Sequence, residues 1–426
     1  MIAHSLIVLF LAACASPATQ TAPGATSPES QVRKLYGEKR YADIIRLPPP
    51  VAHDSTDLDY FRGMAFAKLK RWTEAWNALR RGELKDPHDE RFAVELAGVD
   101  FELKHYRRAR AELHRALRVS PKDTYANNFL ASLYYLDGNL AAALKYWNRV
   151  GKPRVRQVRT DPQPKLKPVL FNSALAFARG EILTLPEYRA TQERIQALGV
   201  FPQFRLELVP NAGQEYSAKI HPLELNGWGD STAEGLISVL RGVPYETVYP
   251  EVFNIHHSAV NLVSMLRWDP NKQRVFAALS GPLAGSARSR YQFYLDGRKE
   301  NWDISHTFFA AASPLTDLRL KKIEGGAEMM TLVNHRLALR GGVDLSARSF
   351  TNFNTAQPVA APFFANGLAL EAETSARYRL ADFPDRRFTL DSTGSIQAGH
   401  DFARTLGNFA QAEGGLAADW LPQASA

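Results

Sequence analysis

Two carboxylates stand two residues apart in the last part of the chain, at Glu371 and Glu373. Two carboxyl groups held about 5–9 Å apart can act as the acid, base or nucleophile of glycoside hydrolysis. Residues i and i+2 of a β-strand do share one face of a sheet. Arg377 and Arg379 have the same parity, however, so the spacing favours a network of ion pairs over acid–base chemistry.

Other catalytic signatures are missing from the sequence. There is no glycine-rich nucleotide loop, no zinc-ligand spacing and no serine-hydrolase motif. His256 and His257 are adjacent, which does not place two ligands on one helix face. The net charge is +8 without a concentrated basic helix face, so nucleic acid is not an expected partner. We predict that the chain is not an enzyme and holds no cofactor or metal.

The N-terminus is typical of an exported protein. An apolar run from Leu6 to Leu11 precedes small residues and is too short to span a bilayer as a helix. The letters "LAAC" at 11–14 resemble a bacterial lipobox, which implies a signal peptide at 1–13 and a lipoprotein lipidated on Cys14. The alternative is ordinary cleavage that leaves Cys14 in the linker. Residues 14–31, rich in Ser, Thr, Pro and Ala, are predicted to form a flexible linker.

A helical repeat organises residues 32–153. Pro87 and Pro121 are 34 residues apart, the period of the tetratricopeptide (TPR) repeat. Small residues recur in this frame where two helices would cross closely. The predicted TPR packing positions are Gly63, Ala75, Pro87, Ala97, Ala109, Pro121, Ala131 and Ala143. The resemblance implies an all-α solenoid that binds peptides or proteins, and the alternative role is a spacer or a dimer face.

Residues 154–226 change to a strand–helix–helix–strand–strand pattern. Pro186 suits the start of the second helix and Gly199 its end. The predicted core positions are Leu198, Phe201, Phe204, Leu206 and Leu208. With "LGVFPQFRLELVP" after the second helix, the segment resembles a polypeptide-transport-associated (POTRA) domain, the periplasmic α+β module of BamA-type proteins. The resemblance implies client binding by strand addition at a sheet edge, and the alternative is a rigid connector.

Long alternating strands fill residues 258–426, after a predicted connector at 227–257. From Leu337 to Ala347 every second residue is apolar or glycine, and most residues between them are polar. Such a strand exceeds the length of about 5–6 residues usual in soluble proteins. It suits a transmembrane β-strand with one lipid-facing side, although a soluble β-sandwich with one wet face is the alternative. The predicted lumenal charges are Arg336, Arg340, Asp344, Glu371, Glu373 and Arg377.

The stretch "GPLAGSARSRYQFYLDGRKENWDI" (281–304) resembles the early strands of the BamA-type barrel. The domain order is also that of the BamA-like surface antigen family, with TPR repeats as an unusual addition. We count eight or nine strands, fewer than the family's barrel has, and its Arg-Gly-Phe/Tyr signature and terminal aromatic residue are absent. The predicted antiparallel transmembrane β-barrel is therefore incomplete. Truncation at the C-terminus is the simplest account, and a barrel built from several chains is the other.

These patterns predict a multidomain protein of the bacterial outer membrane, with its N-terminal domains in the periplasm. We expect it to assemble, insert or translocate polypeptides. Its expected partners are outer-membrane lipid, client polypeptides and assembly partners that meet the TPR groove and the POTRA edge. Two rival functions stay open: a TPR-plus-barrel export porin for polysaccharide, and a periplasmic TPR lipoprotein adaptor with a soluble β region.

Overall fold

The computed structural model describes residues 27–48, 50, 55–211, 215–228, 236–237, 239–304, 316–351, 366–402 and 407–421. The chain divides into two compact units, one ending at Pro121 and the other beginning at Lys122. The predicted leader 1–13 and the lipidation of Cys14 lie outside the described residues. In the described part of the chain, no helix combines the length and the apolar character needed to cross a membrane.

Six helices are described in the first unit, and they form TPR-like pairs. Each helix packs against the next one in the chain. Their bounds are α1 Pro28–Gly37, α2 Tyr41–Arg46, α3 Thr56–Lys68, α4 Trp72–Lys85, α5 Glu90–Glu102 and α6 Tyr106–Val119. Helix α1 begins inside the predicted linker 14–31, because Ser27 caps it and Pro28 suits its first turn. The linker prediction was therefore too long at its C-terminal end.

Small residues occupy the helix crossings at the positions that the repeat predicted. Gly63 of α3 lies directly against Leu79 of α4. The predicted alanines are fully buried: Ala75, Ala97 and Ala109 in the first unit, Ala131 and Ala143 in the second. Pro87 is exposed just after α4, and Pro121 is exposed after α6. Both prolines follow the end of a helix, where their effect on the preceding residue favours an extended backbone.

An alanine at Gly63 should destabilise the first unit. A Cβ atom there would lie 2.5 Å from Cγ of Leu79, so the crossing must shift. Gly98 of α5 is the matched control, because a Cβ atom there meets no atom within 4 Å. We expect Gly63→Ala to lower the free energy of unfolding by about 1–3 kcal/mol and Gly98→Ala to raise it by up to about 1 kcal/mol. Urea denaturation followed by circular dichroism at 222 nm measures both, and equal effects would contradict the close crossing.

The second unit begins with a third helix pair, α7 Thr124–Leu136 and α8 Leu140–Trp147. This pair is TPR-like in sequence but packs on the β structure that follows it. The hydroxyl of Tyr135 donates to the carbonyl of Leu208, and the ring of Trp147 lies 5.5 Å from that of Tyr216. The compact unit therefore starts at Lys122 rather than at the end of the predicted repeat region, residue 153.

A small α/β module follows, in the predicted order. Its elements are β1 Arg154–Thr160, α9 Pro168–Ala174, α10 Leu185–Ala197, β2 Gln203–Pro210 and β3 Glu215–Leu223. The sheet order is β1-β3-β2, with β1 parallel and β2 antiparallel to the central β3. Four predicted core residues are buried, and one is half-buried. The buried ones are Leu198, Phe201, Leu206 and Leu208, and the half-buried one is Phe204.

The second sheet contains ten strands and is antiparallel throughout. The bounds are β4 Thr247–Val248, β5 Glu251–Ile255, β6 Val260–Trp268, β7 Lys272–Pro282, β8 Ser289–Ile304, β9 Thr316–Leu332, β10 Leu337–Thr351, β11 Gly367–Phe383, β12 Phe388–Asp401 and β13 Asn408–Trp420. Each strand from β6 to β12 pairs with the next one in the chain, and β4 and β5 both pair with β6. The predicted connector 227–257 therefore supplies two strands of the sheet. Residues 289–304 form one strand, which gives eight long strands.

The two faces of this sheet have opposite chemistry. In β10, Asp344 is paired with Glu371 of β11, whereas the next residue, Leu345, is paired with Leu370. We call the face of Asp344 and Glu371 the charged face, and the opposite one the apolar face. Leu345 of the apolar face is 53% exposed and Val343 is 54% exposed. Within the described residues, the apolar face is thus left uncovered along these strands.

Candidate functional site

Helix α10 lies against the charged face of the large sheet. The carboxylate of Glu193 accepts a hydrogen bond of 2.6 Å from Arg377 and lies 3.3 Å from the guanidinium of Arg379. One turn earlier, Arg189 makes two hydrogen bonds to the carboxylate of Asp382, at 2.9 and 3.0 Å. Paired bonds of this kind fix the orientation of both groups as well as adding energy. They therefore set the position of α10 along β11.

The C-terminal end of α10 is also held by the sheet. Arg290 of β8 donates to the carbonyl oxygens of Ala197 and Leu198, at 2.8 and 2.6 Å. Asn261 of β6 donates to the carbonyl oxygens of Leu198 and Gly199, at 3.3 and 3.2 Å. The last carbonyls of a helix have no intrahelical partner and carry partial negative charge, so a guanidinium satisfies both needs. We call the contacts made by Arg189, Glu193 and this helix end the α10 contact.

Helix α8 meets the same end of the sheet at the short turn between β11 and β12. Asp385 of that turn accepts hydrogen bonds from Lys145 at 2.5 Å and from the hydroxyl of Tyr146 at 2.9 Å. The side-chain amide of Asn139 donates to the carbonyl of Pro384 at 2.8 Å. Burial raises the pKa of Tyr146, and the charge of Asp385 raises it further. The hydroxyl therefore stays protonated and remains a donor over the physiological pH range.

A group of polar side chains joins the small module to the first strands of the large sheet. The amide of Asn254 in β5 donates to Glu224 at 2.9 Å and to Asn226 at 2.7 Å. The carboxylate of Glu224 also accepts the backbone N–H groups of Lys165 and Leu166, at 2.6 and 2.7 Å. The backbone N–H of Lys167 donates to the carbonyl of His257, just after β5, at 2.9 Å. The module is therefore attached through α10 and through the loop that precedes α9.

Five of the six predicted lumenal charges lie on the charged face. Asp344 accepts a hydrogen bond from the hydroxyl of Tyr294, and Glu371 accepts one of 2.5 Å from Gln397. Arg340 lies 3.6 Å from Glu328. A cavity of about 520 Å³ opens on this part of the sheet. Among its lining residues are Arg340, Glu373 and Arg377.

Arg336, the sixth predicted lumenal charge, is not part of a strand. It lies in the turn before β10, where its backbone N–H donates to the side chain of Asn334 at 2.7 Å. The alternation begins at Leu337, the first residue of β10. Arg336 precedes it and is exposed at the end of the sheet. Arg290 and Glu193 were not predicted as site residues. Arg290 had the parity of the charged face, but nothing in the sequence indicated that a helix end would meet it.

The small sheet has an open edge at β2. Among the described strands, β2 pairs only with β3. The carbonyl of Leu208 accepts from Tyr135 of α7, so it points away from β3. Because backbone groups alternate along a strand, those of Leu206 and Phe204 also point outward. An edge of this kind can pair with an extended segment of another chain.

No protein-family model matches this sequence, and no curated protein matches it. A crystal structure of MamA protein is 17% identical over 28% of this chain and 66% of that chain, just under two thirds of it, with a TM-score of 0.26. The second TPR of Spaghetti (RPAP3), bound to an HSP90 peptide, is 18% identical over 23% of this chain and 90% of that chain, with a TM-score of 0.22. The second of these structures is described as a TPR domain. Likenesses this slight say nothing about function.

Loss of the Glu193 carboxylate should loosen α10. Glu193→Ala leaves two half-buried arginines, Arg377 and Arg379, to share the remaining carboxylate of Asp391. We expect the local opening free energy of α10 to fall by about 1.5–3 kcal/mol, which is an increase of roughly 10–100-fold in amide hydrogen exchange. Hydrogen exchange of the peptide 185–197 measures it.

Glu215→Ala is the matched control for this experiment. Glu215 pairs with Arg156 at 3.4 Å, and the Arg156 side chain is 71% exposed, so the pair should contribute less than about 1 kcal/mol. We expect no change in exchange across α10 in this variant. Equal exchange in wild type and Glu193→Ala would mean that the ion pairs do not hold the helix.

Proposed function

We propose that this protein is a BamA-like outer-membrane protein that assembles, inserts or translocates polypeptides. The observation that carries the proposal is the chemistry of the large sheet. Its apolar face is exposed, whereas its charged face holds the ion pairs and receives α10. A sheet that faces water on one side normally buries its apolar face and exposes its polar one. In a membrane barrel the apolar face meets lipid and the charged face lines the lumen.

Strand length supports the same proposal. The six strands from β8 to β13 contain between 13 and 17 residues each. Crossing the hydrocarbon of a membrane takes about 9–11 residues. Lipid offers no partner for an unpaired backbone group, so strands in it close into a barrel. Closure of these strands, which would pair the outer edge of β13, is part of the proposal.

The connections between strands support an orientation. At the end where α8 and α10 dock, β9 ends at Leu332 and β10 begins at Leu337. The two longest connections lie at the opposite end, between Ile304 and Thr316 and between Thr351 and Gly367. Outer-membrane barrels have short periplasmic turns and longer external loops. We therefore place the helical region and the small module in the periplasm, with the lipidated Cys14 as part of the same proposal.

The proposed work needs no chemistry at a catalytic centre. The small module, in this reading a POTRA-like domain, receives an extended client at the open edge of β2 by strand addition. The α10 contact keeps that module at the mouth of the strands, next to the charged face. The TPR-like helices supply a further surface for client chains or assembly partners. The order of the module disfavours the polysaccharide porin, and the exposed apolar face disfavours the soluble adaptor.

A charge on the apolar face should prevent membrane insertion. Val343 lies near the middle of β10 on the apolar face, and Ser375 lies near the middle of β11 on the charged face. We expect Val343→Arg to cost about 2–4 kcal/mol in lipid and to reduce the carbonate-resistant, heat-modifiable fraction in outer membranes. Ser375→Arg is the matched control and should keep that fraction unchanged. The same behaviour in both variants would contradict the proposed membrane location.

A photo-crosslinking residue at the edge of the small sheet should capture a client. Arg205 is an exposed residue of the edge strand β2, and Lys219 is an exposed residue of the central strand β3. We expect p-benzoylphenylalanine at position 205 to crosslink an unfolded outer-membrane barrel protein added to proteoliposomes. The same probe at position 219 should give several-fold less product, because β3 is paired on both sides. Equal yields would argue against strand addition at β2.

A further inference from the structure

The outer edge of β1 is covered over only part of its length. Its first part pairs with a passing segment of chain. The N–H of Val155 donates to the carbonyl of Glu181 at 2.8 Å, and its carbonyl accepts from Gly180 at 2.7 Å. An isolated bridge between Arg154 and Ile182 completes this pairing. The segment then leaves the strand.

The rest of the edge is open at Val158 and Thr160. The N–H of Asp161 donates to Ile220 of β3 at 2.9 Å, which fixes the side on which each backbone group lies. By alternation, the N–H and C=O groups of Val158 and Thr160 point away from β3. Among the described residues, no strand pairs with β1 on that side at these positions.

A cavity of about 450 Å³ with a mixed apolar and polar lining lies beside this open edge. Its apolar wall includes Val158, Leu166, Phe171, Leu175 and Phe177, and its polar wall includes Thr160, Gln163 and Asn172. The residues paired with Val158 and Thr160 in β3, which are Ala218 and Ile220, are fully buried under the helices. Val158 and Thr160 themselves are only half-buried. The helix layer therefore stops short of β1 and leaves room for a side chain.

The surroundings of the cavity are basic. Residues 154–180 contain six Lys or Arg residues and one acidic residue, Asp161. Arg179 lines the cavity and is exposed, and Lys165 and Lys167 stand on either side of Leu166. Arg156 is partly neutralised by Glu215 at 3.4 Å. A partner that matches this charge is acidic.

We propose that this edge and cavity bind an extended acidic segment of a partner polypeptide. The segment adds a strand to β1 at Val158 and Thr160, and one aromatic or large aliphatic side chain enters the cavity. Successive side chains of a strand alternate between faces, so one anchor enters while its neighbours point away. Arg179 lies beside a carboxylate of the segment. The site is separate from the edge of β2, and it adds a partner to the proposed function without depending on membrane insertion.

The test uses the full chain in detergent and a fluorescein-labelled, amidated peptide of sequence Glu-Asp-Thr-Val-Phe-Val-Thr-Asp-Glu. We expect saturable binding in a fluorescence anisotropy titration. Replacing the peptide's Phe by Ala, or methylating the backbone nitrogens beside it, should weaken binding at least tenfold. A peptide of the same composition with Phe moved to one end should also bind at least tenfold more weakly. These comparisons leave the protein unchanged, so folding cannot explain them.

Two variants at one position locate the binding site. Thr160→Pro removes an N–H group that points outward and makes no bond to β3, which an edge strand tolerates. Thr160→Val keeps that N–H group and the side-chain shape. We expect at least tenfold weaker binding for Thr160→Pro and less than a twofold change for Thr160→Val, with circular dichroism as the check on folding.

Three outcomes would overturn the inference. These are no saturable binding, binding that is equal for the two Thr160 variants, and binding of the rearranged peptide with equal affinity, which would leave only charge attraction. Crosslinking from position 205 and membrane fractionation of the Val343 variant report on the proposed function. They would be unaffected by a failure at β1, so the two failures can be told apart.

Discussion

The alternation of side chains along eight long strands is the constraint on which the second unit depends. A strand has only two faces, and the register of β9, β10 and β11 places most of their large apolar residues, such as Val343, Leu345 and Leu370, on one of them. The charged residues are thereby gathered on the other face, where every carboxylate and guanidinium needs a partner. A medium that suits the apolar face does not suit the charged face. The sheet therefore requires either a boundary between two media or a large surface that covers one of its faces.

The α10 contact follows from that gathering of charge. At the β11 end, α10 supplies Glu193 to Arg377 and Arg379, and the sheet supplies Asp382 to Arg189 of α10. The same helix ends at Arg290, which satisfies its last carbonyls. The docking of α10 on the sheet therefore pairs Glu193 with two arginines and gives the last carbonyls of the helix a donor. These contacts set the position of the small module on the large sheet. Helix α8 repeats the principle at Asp385.

The small module keeps its edges available because its contacts with the large sheet use other surfaces. It docks through α10, through the loop before α9 and through the end of β3, so β2 is left at one side of its sheet and β1 at the other. Both edges are only partly covered, by Tyr135 at β2 and by the segment at 180–182 at β1. A mixed three-stranded sheet of this order therefore presents two different places for strand addition, one of them with a cavity beside it.

The sequence by itself determined the elements of this protein, because their signals are local. The 34-residue period fixed the helix crossings at Gly63 and the buried alanines, and alternation fixed which residues of β10 and β11 share a face. Alternation did not show that Arg336 lies in the turn before β10, and the two short strands in the predicted connector 227–257 carry no pattern of their own. Only the tertiary structure decided that α7 and α8 join the β unit, and that Glu193 and the end of α10 meet Arg377, Arg379 and Arg290. The contacts of Glu193 with Arg377 and of Leu198 with Arg290 join residues more than ninety positions apart. A periodic pattern carries no information about which distant element will satisfy a charge.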